Sequence, residues 1–331
     1  MSLPPWLRRL TPDPYIVAIL AMVLLATVLP VRGDMARTFG LITKLAIALL
    51  FFLHGAKLSR EAVVSGITHW RLHLTVLAAT FLLFPLLGLA TRALPAAILP
   101  GSLTAGLMFL CCLPSTVQSS IAFTSVARGN IAAAVCAASA SNLFGFLITP
   151  ILAALTLGVH GGAHGARDML AQVEAVAVQL FLPFVAGQIA RPWIRPWMGA
   201  HSKLVGYVDR GSILLVVYGA FSAAVVEGLW GRVSLVQVLT LAAICVLLLA
   251  LVLGATVLAS HLLGFSREDE IAVVFCGSKK SLASGVPMAS ILFPAPAVGM
   301  IVLPLMIFHQ LQLMACAVIA QQWAARPAEG Q

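Results

Sequence analysis

Two adjacent lysines lie in the middle of a stretch that is otherwise apolar enough to cross a membrane. The stretch is VVFCGSKKSLASGVPM, residues 273–288, and the lysines are Lys279 and Lys280. Lys280 follows the acidic run REDE by ten residues, which in a helix is about 15 Å, near half of a hydrocarbon core roughly 30 Å thick. A central lysine costs on the order of 2.5 to 3.5 kcal/mol. The pair therefore needs a partner: carbonyls of a broken helix, a counter-charge or an anionic substrate.

A second polar cluster lies in the apolar segment 101–127. Seven polar residues follow Pro114 within it: Ser115, Thr116, Gln118, Ser119, Ser120, Thr124 and Ser125. In the segment 270–293, Gly277, Gly285 and Pro287 accompany the lysines, and Ser278 and Ser281 flank them. Proline removes a backbone donor and glycine loosens a helix, so both segments are predicted to contain a broken helix. The alternative is that the hydroxyls only bond back to their own helices.

The composition places the whole chain in a bilayer. Of 331 residues, 61% are hydrophobic and 9% are charged, and the mean hydropathy is +1.03. A soluble domain of this composition would expose large apolar patches. Windows of about 20 apolar residues predict ten membrane spans with short polar links. They lie near residues 14–31, 40–58, 72–91, 101–127, 130–157, 170–190, 207–229, 234–260, 270–293 and 296–322.

The positions of Lys and Arg predict the orientation, because cytoplasmic loops carry an excess of them. With a cytoplasmic N-terminus, twelve basic residues fall on inner faces and five on outer faces. This bias predicts two cytoplasmic termini and an even number of spans, with an uncleaved first span. The formal charge of +9 then indicates attraction to anionic lipid headgroups, and no nucleic acid partner is predicted.

Five spans on each side of the loop near 158–169 predict an inverted repeat, because a second five-span unit enters the membrane upside down. Repeat 1 covers about residues 14–157 and repeat 2 about residues 170–322. The fourth and ninth spans, which are the two predicted broken helices, hold the same position in the two repeats. Matched broken helices indicate the transport site of a secondary transporter, where free backbone groups line a cavity.

Few other polar residues lie inside the predicted spans. Asn142 in ASASNLFGF and His309 in LPLMIFHQLQL are candidate cavity residues, although a lone histidine on an apolar helix is more often a packing residue. Glu174 and Glu227 are the carboxylates that we expect within the membrane, each close to an outer edge. The six cysteines lie in apolar spans without CxxC spacing, which predicts neither a disulfide framework nor a metal site.

The chain resembles the bile acid:sodium symporter superfamily, solute carrier family 10. Within it, the chain looks most like the branch of that family's seventh member and of bacterial sodium-dependent transporters. Four segments carry the resemblance: FFLHGAKLS (51–59), CCLPSTVQSSIAFTSVARGNIAAAV (111–135), SNLFGFLITPIL (141–152) and FCGSKKSLASGVP (275–287). It covers essentially the whole chain, and GSKKSLASG is fairly specific for the branch.

The resemblance implies ten spans in which a panel of spans 1, 2, 6 and 7 faces a core of spans 3–5 and 8–10. The fourth and ninth spans would cross at their unwound centres. In sodium-coupled relatives, ions lie behind the crossing and an organic anion binds between core and panel. The core then moves relative to the panel to alternate access. The resemblance also implies an integral protein of a bacterial inner membrane.

The sodium ligands that the resemblance implies are only partly present. The ligand positions of the ninth and fifth spans fall on residues of other types: Cys276, Lys280, Ala134 and Ala138. Ser119 or Ser120 retains an oxygen of the fourth span. Because an ammonium repels sodium, one hypothesis is that a lysine replaces the sodium ion as a tethered cation, with proton coupling or no coupling. The alternative is that the lysines face the cleft and pair with an acidic group of the substrate.

The sequence thus predicts a secondary active transporter of a small organic anion, with sodium or a proton as coupling ion and no other cofactor. A non-transporting regulatory membrane protein is the alternative. A hydrolase that uses Ser278 or Ser281 with a lysine is a third hypothesis, but GxSxG and HExxH motifs are absent from the sequence and no enzyme is predicted. The candidate substrate- or ion-binding residues are Ser115, Thr116, Gln118, Ser119, Ser120, Asn142, Ser278, Lys279, Lys280, Ser281 and His309.

Overall fold

Helices make up most of the described part of this protein. The computed structural model describes residues 14–57, 69–93, 95, 98–157, 170, 171 and 174–325, and over these residues it contains no strand. Within the described residues, seven helical segments are long and apolar enough to cross a membrane: Gly33–Lys57, Trp70–Thr91, Ile131–Leu157, Glu174–Ala200, Ser202–Val226, Leu235–Leu262 and Ala295–Ala324. The prediction of an all-helical membrane protein is confirmed at this level.

The described helices lie along the chain in the following order. The first half contains α1 (Pro14–Val28), α2 (Gly33–Lys57), α3 (Trp70–Ala78), π1 (Ala79–Leu83), α4 (Phe84–Thr91), α5 (Gly101–Cys112), α6 (Gln118–Val126) and α7 (Ile131–Leu157). The second half contains π2 (Ala177–Phe181), α8 (Leu182–Ala200), α9 (Ser202–Val226), α10 (Leu229–Arg232), α11 (Leu235–Leu262), α12 (Arg267–Gly277), α13 (Leu282–Leu292) and α14 (Ala295–Ala324). The predicted central loop, 158–169, lies outside the described residues.

The predicted fourth and ninth spans are each divided into two short helices. The fourth is broken between α5 and α6, around Pro114, and the ninth between α12 and α13, at residues 278–281. Ser281 caps α13, since its hydroxyl accepts a hydrogen bond from the Ser284 amide at 3.1 Å. The expectation that Gly285 and Pro287 also interrupt this span is wrong, because α13 continues through both. Pro287 removes only one donor, which a short helix tolerates.

The third predicted span, α3–π1–α4, is continuous but contains a π-helical segment ahead of Pro85. The amide of Phe84 donates to the carbonyl of Ala79, five residues earlier. The next bond of this type would join residue 85 to the carbonyl of Thr80, but Pro85 has no N–H. The Thr80 carbonyl is therefore left free for another donor.

Helices α2 and α8 pack with their backbones in contact. A Cβ atom on Gly55 would lie 1.9 Å from the carbonyl oxygen of Phe184, and one on Gly187 would lie 1.9 Å from that of Phe52. The contact is reciprocal, and any side chain at either glycine would overlap the other backbone. Helix α9 packs against both α1 and α2, and it also contacts α13 and α14.

The remaining helices surround the two broken spans. Helix α14 packs against α5, α6, α11 and α13, and α12 packs against α3, α6, α7 and α11. The stretch from Ile271 to Lys280 is buried along its whole length. The two lysines are thus enclosed by protein and do not face lipid.

Candidate functional site

The two helix breaks touch each other. The amide of Ser281 donates to the carbonyl oxygen of Pro114 at 2.9 Å, and the hydroxyl of Ser115 donates to the carbonyl of Cys276 at 2.5 Å. Asn142 of α7 contacts both breaks: its Nδ2 donates to the Ser115 carbonyl at 2.7 Å, and its Oδ1 accepts from the Ser284 hydroxyl at 2.8 Å. The backbone groups that the breaks release are therefore satisfied by the opposite break and by α7.

The ammonium group of Lys280 is surrounded by backbone carbonyls. Its Nζ donates to the carbonyl oxygens of Thr80 at 2.8 Å, Cys111 at 2.9 Å and Leu113 at 2.6 Å. The ring of Phe84 lies 4.0 Å from Nζ on another side, a favourable cation–π contact. The residue is fully buried. All three N–H donors of the ammonium are satisfied, so its partner is the broken helix and not a carboxylate.

The three acceptors of Lys280 are carbonyls that regular helix structure does not use. Cys111 and Leu113 lie at the C-terminal end of α5, where carbonyls lack intrahelical donors and carry a partial negative charge. The Thr80 carbonyl is free because Pro85 lacks an N–H. Lys280 thus acts as a C-terminal cap for α5 and fills the gap that π1 leaves.

A glutamine and a histidine of α14 hold the backbone of Lys280. The Lys280 amide donates to Oε1 of Gln312 at 2.8 Å, and Nε2 of Gln312 donates to the Lys280 carbonyl at 2.9 Å. His309 Nδ1 lies 3.4 Å from the same carbonyl and 2.9 Å from Gln312 Nε2. Gln312 was not among the predicted site residues, although its spacing of three from His309 on one helix face is a usable signal.

Lys279 points in a different direction. Its Nζ donates to the carbonyl of Ser119, in the first turn of α6, at 3.0 Å. The same nitrogen lies 4.0 Å from the ring centroid of Phe123 and 5.0 Å from that of Phe275. Neighbouring lysines therefore bind the two halves of the fourth span separately, Lys280 at the end of α5 and Lys279 at the start of α6. Neither forms an ion pair within the described chain.

Some of the other predicted site residues join the two broken spans, and others do not. Ser120 joins the two broken spans, since its hydroxyl donates to the carbonyl of Phe275 at 2.9 Å, and the hydroxyls of Thr116 and Ser119 lie 2.5 Å apart beside it. Ser278 lies in the break, but its hydroxyl bonds back to Val274 at 2.6 Å in α12. Gln118 is exposed.

The hydrolase hypothesis receives no support from the two serines beside the lysines. The hydroxyl of Ser281 lies 3.1 Å from that of Ser284 and caps α13, and that of Ser278 is bonded within α12. Each hydroxyl is therefore engaged with a group other than a lysine, whereas a Ser-Lys pair requires a hydrogen bond between nucleophile and base.

Three of the four positions at which the resemblance implies sodium ligands lie together and carry no oxygen in their side chains. Cys276 packs in one cluster with Ala134 and Ala138 of α7. Its thiol contacts the Ala134 carbonyl at 3.6 Å. Sodium requires several oxygen ligands, and these side chains offer none.

A second buried polar cluster, between α2 and α9, was missed by the sequence analysis. Asp209 is 5% exposed and forms an ion pair and a hydrogen bond with Lys57. Nε2 of His54 lies 3.8 Å from its other oxygen, Oδ1. The expectation that Glu174 and Glu227 are the carboxylates within the membrane was therefore incomplete; both of those lie on the exposed side of their helices.

Two broken membrane helices that meet at their breaks, with buried charged groups, define a membrane transporter. The chain belongs to the SBF-like CPA transporter family, whose sequence profile matches residues 13–325. The resemblance to the bile acid:sodium symporter superfamily is thereby confirmed.

Three relatives match along nearly their whole length. An uncharacterised Pseudomonas aeruginosa protein, PA2026, is 55% identical over 96% of this chain and 95% of its own. The Escherichia coli K12 protein named "Putative symporter YfeH" is 51% identical over 94% of this chain and 92% of its own. Sodium/bile acid cotransporter 7-A of Xenopus laevis is 27% identical over 95% of this chain and 92% of its own.

Proposed function

We propose that this protein is a secondary active transporter that moves a small organic anion across a bacterial inner membrane by alternating access. The main support is the contact between the two helix breaks, where the Lys280 ammonium binds one carbonyl of π1 and two at the end of α5. Ten crossings arranged as inverted repeats of residues 14–157 and 170–322 fit this site, because each repeat supplies one broken helix.

The packing of the helices supports a division into a panel and a core. Helices α1, α2, α8 and α9 pack against one another and would form the panel, and α3–α7 with α11–α14 would form the core. Contacts between the two groups run chiefly from α9 to α13 and α14 and from π2 to α7. A core that carries both breaks could move against such a panel without separating Lys280 from its acceptors.

Lys280 is best explained as a tethered cation in place of a bound sodium ion. Its ammonium group already lies among the three carbonyls and donates to each of them, and the neighbouring ligand positions hold Cys276, Ala134 and Ala138. Transport is then independent of sodium, and a proton becomes the candidate coupling ion. If Lys280 replaces the sodium ion, other groups at the crossing must bind the substrate.

The anionic character of the substrate is supported by two helix N-termini. Helices α6 and α13 both begin at the crossing, so their amides and positive dipole ends point toward it. Gln118 is exposed in the first turn of α6, and Ser119 and Asn142 are half-buried beside it. Gln118 and Ser119 are neutral donors that suit a carboxylate, sulfate or phosphate group, whereas Asn142 already donates to the carbonyls of Ser115 and Ala138.

A binding and flux experiment tests the proposal. Purified protein is screened by thermal shift against carboxylate, sulfate and phosphate metabolites in sodium and in choline buffers, and radiolabelled hits are followed into proteoliposomes under imposed sodium or proton gradients. We expect an anion that binds and is taken up without sodium. A strict sodium requirement that survives Lys280→Ala contradicts the tethered cation, and binding without uptake favours the regulatory alternative. Reporter fusions at both termini test the cytoplasmic orientation.

A further inference from the structure

A buried carboxylate with one unused oxygen joins α2 to α9, apart from the helix breaks. Oδ2 of Asp209 accepts from the Lys57 ammonium, whereas Oδ1 is buried and has no hydrogen-bond partner in the described part of the chain. Nε2 of His54, on the same helix as Lys57, lies 3.8 Å from Oδ1. This distance is too long for a hydrogen bond but within the range of an ion pair. Among the described residues, Oδ1 is therefore a buried acceptor without a donor that faces a titratable ring.

The charges of this cluster balance only when His54 is neutral. Lys57 and Asp209 then cancel, and Oδ1 lacks a donor. When the neutral ring carries its hydrogen on Nδ1, a proton added at Nε2 makes His54 an imidazolium that forms an ion pair with Oδ1, and the cluster gains one positive charge. The side chain of His54 is 26% exposed, so a proton from water can reach it.

Other charged side chains lie on the described helices that pack around His54. Asp209 and Lys57 are the charged groups whose fields act on His54. The packed helices also carry Arg191, Arg195, Lys203 and Arg210, and the Arg210 guanidinium lies 5.7 Å from the ring of Tyr15 in α1. The described stretch of α7 contains no charged residue.

The cluster lies one helical turn from a contact between the two groups of helices. The His54 ring packs edge-on against Phe51, with centroids 5.9 Å apart, and Phe51 contacts Phe146 of α7 at 5.3 Å. Phe146 also contacts Phe181 and Phe184 at 6.4 and 5.5 Å. A change of charge at His54 therefore alters the electrostatic potential next to the surface where α7 would slide against α2 and α8.

We propose that His54 and Asp209, with Lys57, form a proton-binding site, in which one proton at Nε2 of His54 pairs with Oδ1 of Asp209. The further step, that this proton is the coupling ion, rests on the proposed transport function. One proton carried with one monovalent anion makes transport electrically neutral.

Histidine titration by NMR tests the proton site without substrate or flux. The full chain, labelled with ¹³C in the histidine rings and held in detergent micelles, is titrated over roughly pH 5 to 9, and the His54 resonance is assigned by its loss in His54→Gln. We expect the ring to titrate in this range. Asp209→Asn should lower its proton affinity about tenfold or more and Lys57→Gln should raise it, because an opposite charge has been removed in one case and a like charge in the other.

The matched control is His201→Gln, which removes an exposed histidine between α8 and α9 and should leave the His54 titration unchanged. An His54 ring that does not titrate, or that responds equally to both charge substitutions, overturns the proposal. If Asp209→Asn does not fold, Lys57→Gln alone tests the proposal: an increase in the proton affinity of His54 supports it, and a decrease or no change overturns it. Failure of anion uptake would leave this titration intact, so the two proposals fail separately.

Discussion

The ammonium nitrogen of Lys280 lies 2.6 Å from the carbonyl oxygen of Leu113, a residue 167 positions away in the chain. This contact ties the broken ninth span to the end of α5 in the broken fourth span. An ammonium in such a place is stabilised by fixed carbonyl dipoles and needs no counter-ion. Four predictions follow from the contacts around it and from the packing of α2 on α8.

Lys280→Met should destabilise the fold. The substitution keeps the chain length and apolar volume but leaves the carbonyls of Thr80, Cys111 and Leu113 buried without donors, at about 1 to 3 kcal/mol for each unsatisfied group, partly offset by removing a buried charge. We expect a net loss of about 2 to 5 kcal/mol. A thiol-reactive dye can report the apparent melting temperature, because all six cysteines are buried.

The control is Lys203→Met, which removes an exposed lysine near the start of α9 and should change stability by no more than about 0.5 kcal/mol. Equal melting temperatures for Lys280→Met and the unsubstituted protein would contradict the capping role of Lys280.

Pro85→Ala should compete with Lys280 for the Thr80 carbonyl. Alanine restores the N–H that π1 lacks, and this donor can bond to Thr80 in place of the ammonium. Pro183→Ala is the matched control: Pro183 follows π2 in the same way, and within the described residues no ammonium donates to the corresponding carbonyl of Val178. We expect Pro85→Ala to be less stable than Pro183→Ala by about 1 to 2 kcal/mol.

A double-mutant cycle sharpens this comparison. In the Lys280→Met background the restored N–H has no competitor, so the difference between the two proline substitutions should vanish. The same difference in both backgrounds would show that Pro85 acts through helix propensity alone.

Sodium should not stabilise the protein. A sodium ion present at 100 times its dissociation constant would add about 2.7 kcal/mol, which a melting curve detects easily. Because Cys276, Ala134 and Ala138 provide no oxygen side chains and Lys280 occupies the carbonyls, we expect equal melting temperatures in sodium chloride and choline chloride at equal ionic strength. A rise of several degrees in sodium alone would show that the ion still binds.

Gly55→Ala should weaken the contact between α2 and α8. The new Cβ would lie 1.9 Å from the Phe184 carbonyl oxygen, so the backbones must separate, at about 1 to 3 kcal/mol. Gly40→Ala on the same helix meets nothing within 4 Å and should be neutral or stabilising by about 0.5 to 1 kcal/mol. Two equal losses would point to a general intolerance of α2 to substitution.

The sequence predicted the helix breaks because proline, glycine and clustered polar residues have local consequences. The depth of Lys280 in its span and its charge were enough to predict that this lysine needs a partner. The sequence did not single out Thr80, because that carbonyl becomes an acceptor only through the missing N–H of Pro85. The sequence analysis also expected Gly285 and Pro287 to break the helix, but α13 continues through both. It missed Asp209, because the burial of this side chain depends on the packing of α2 against α9.

The reciprocal glycine contact of α2 and α8 has a consequence for the surrounding lipid. Where Gly55 and Gly187 bring the two backbones together, no acyl chain can enter between the helices. A change in bilayer thickness or lipid composition therefore tilts α2 and α8 by the same amount and does not alter their separation.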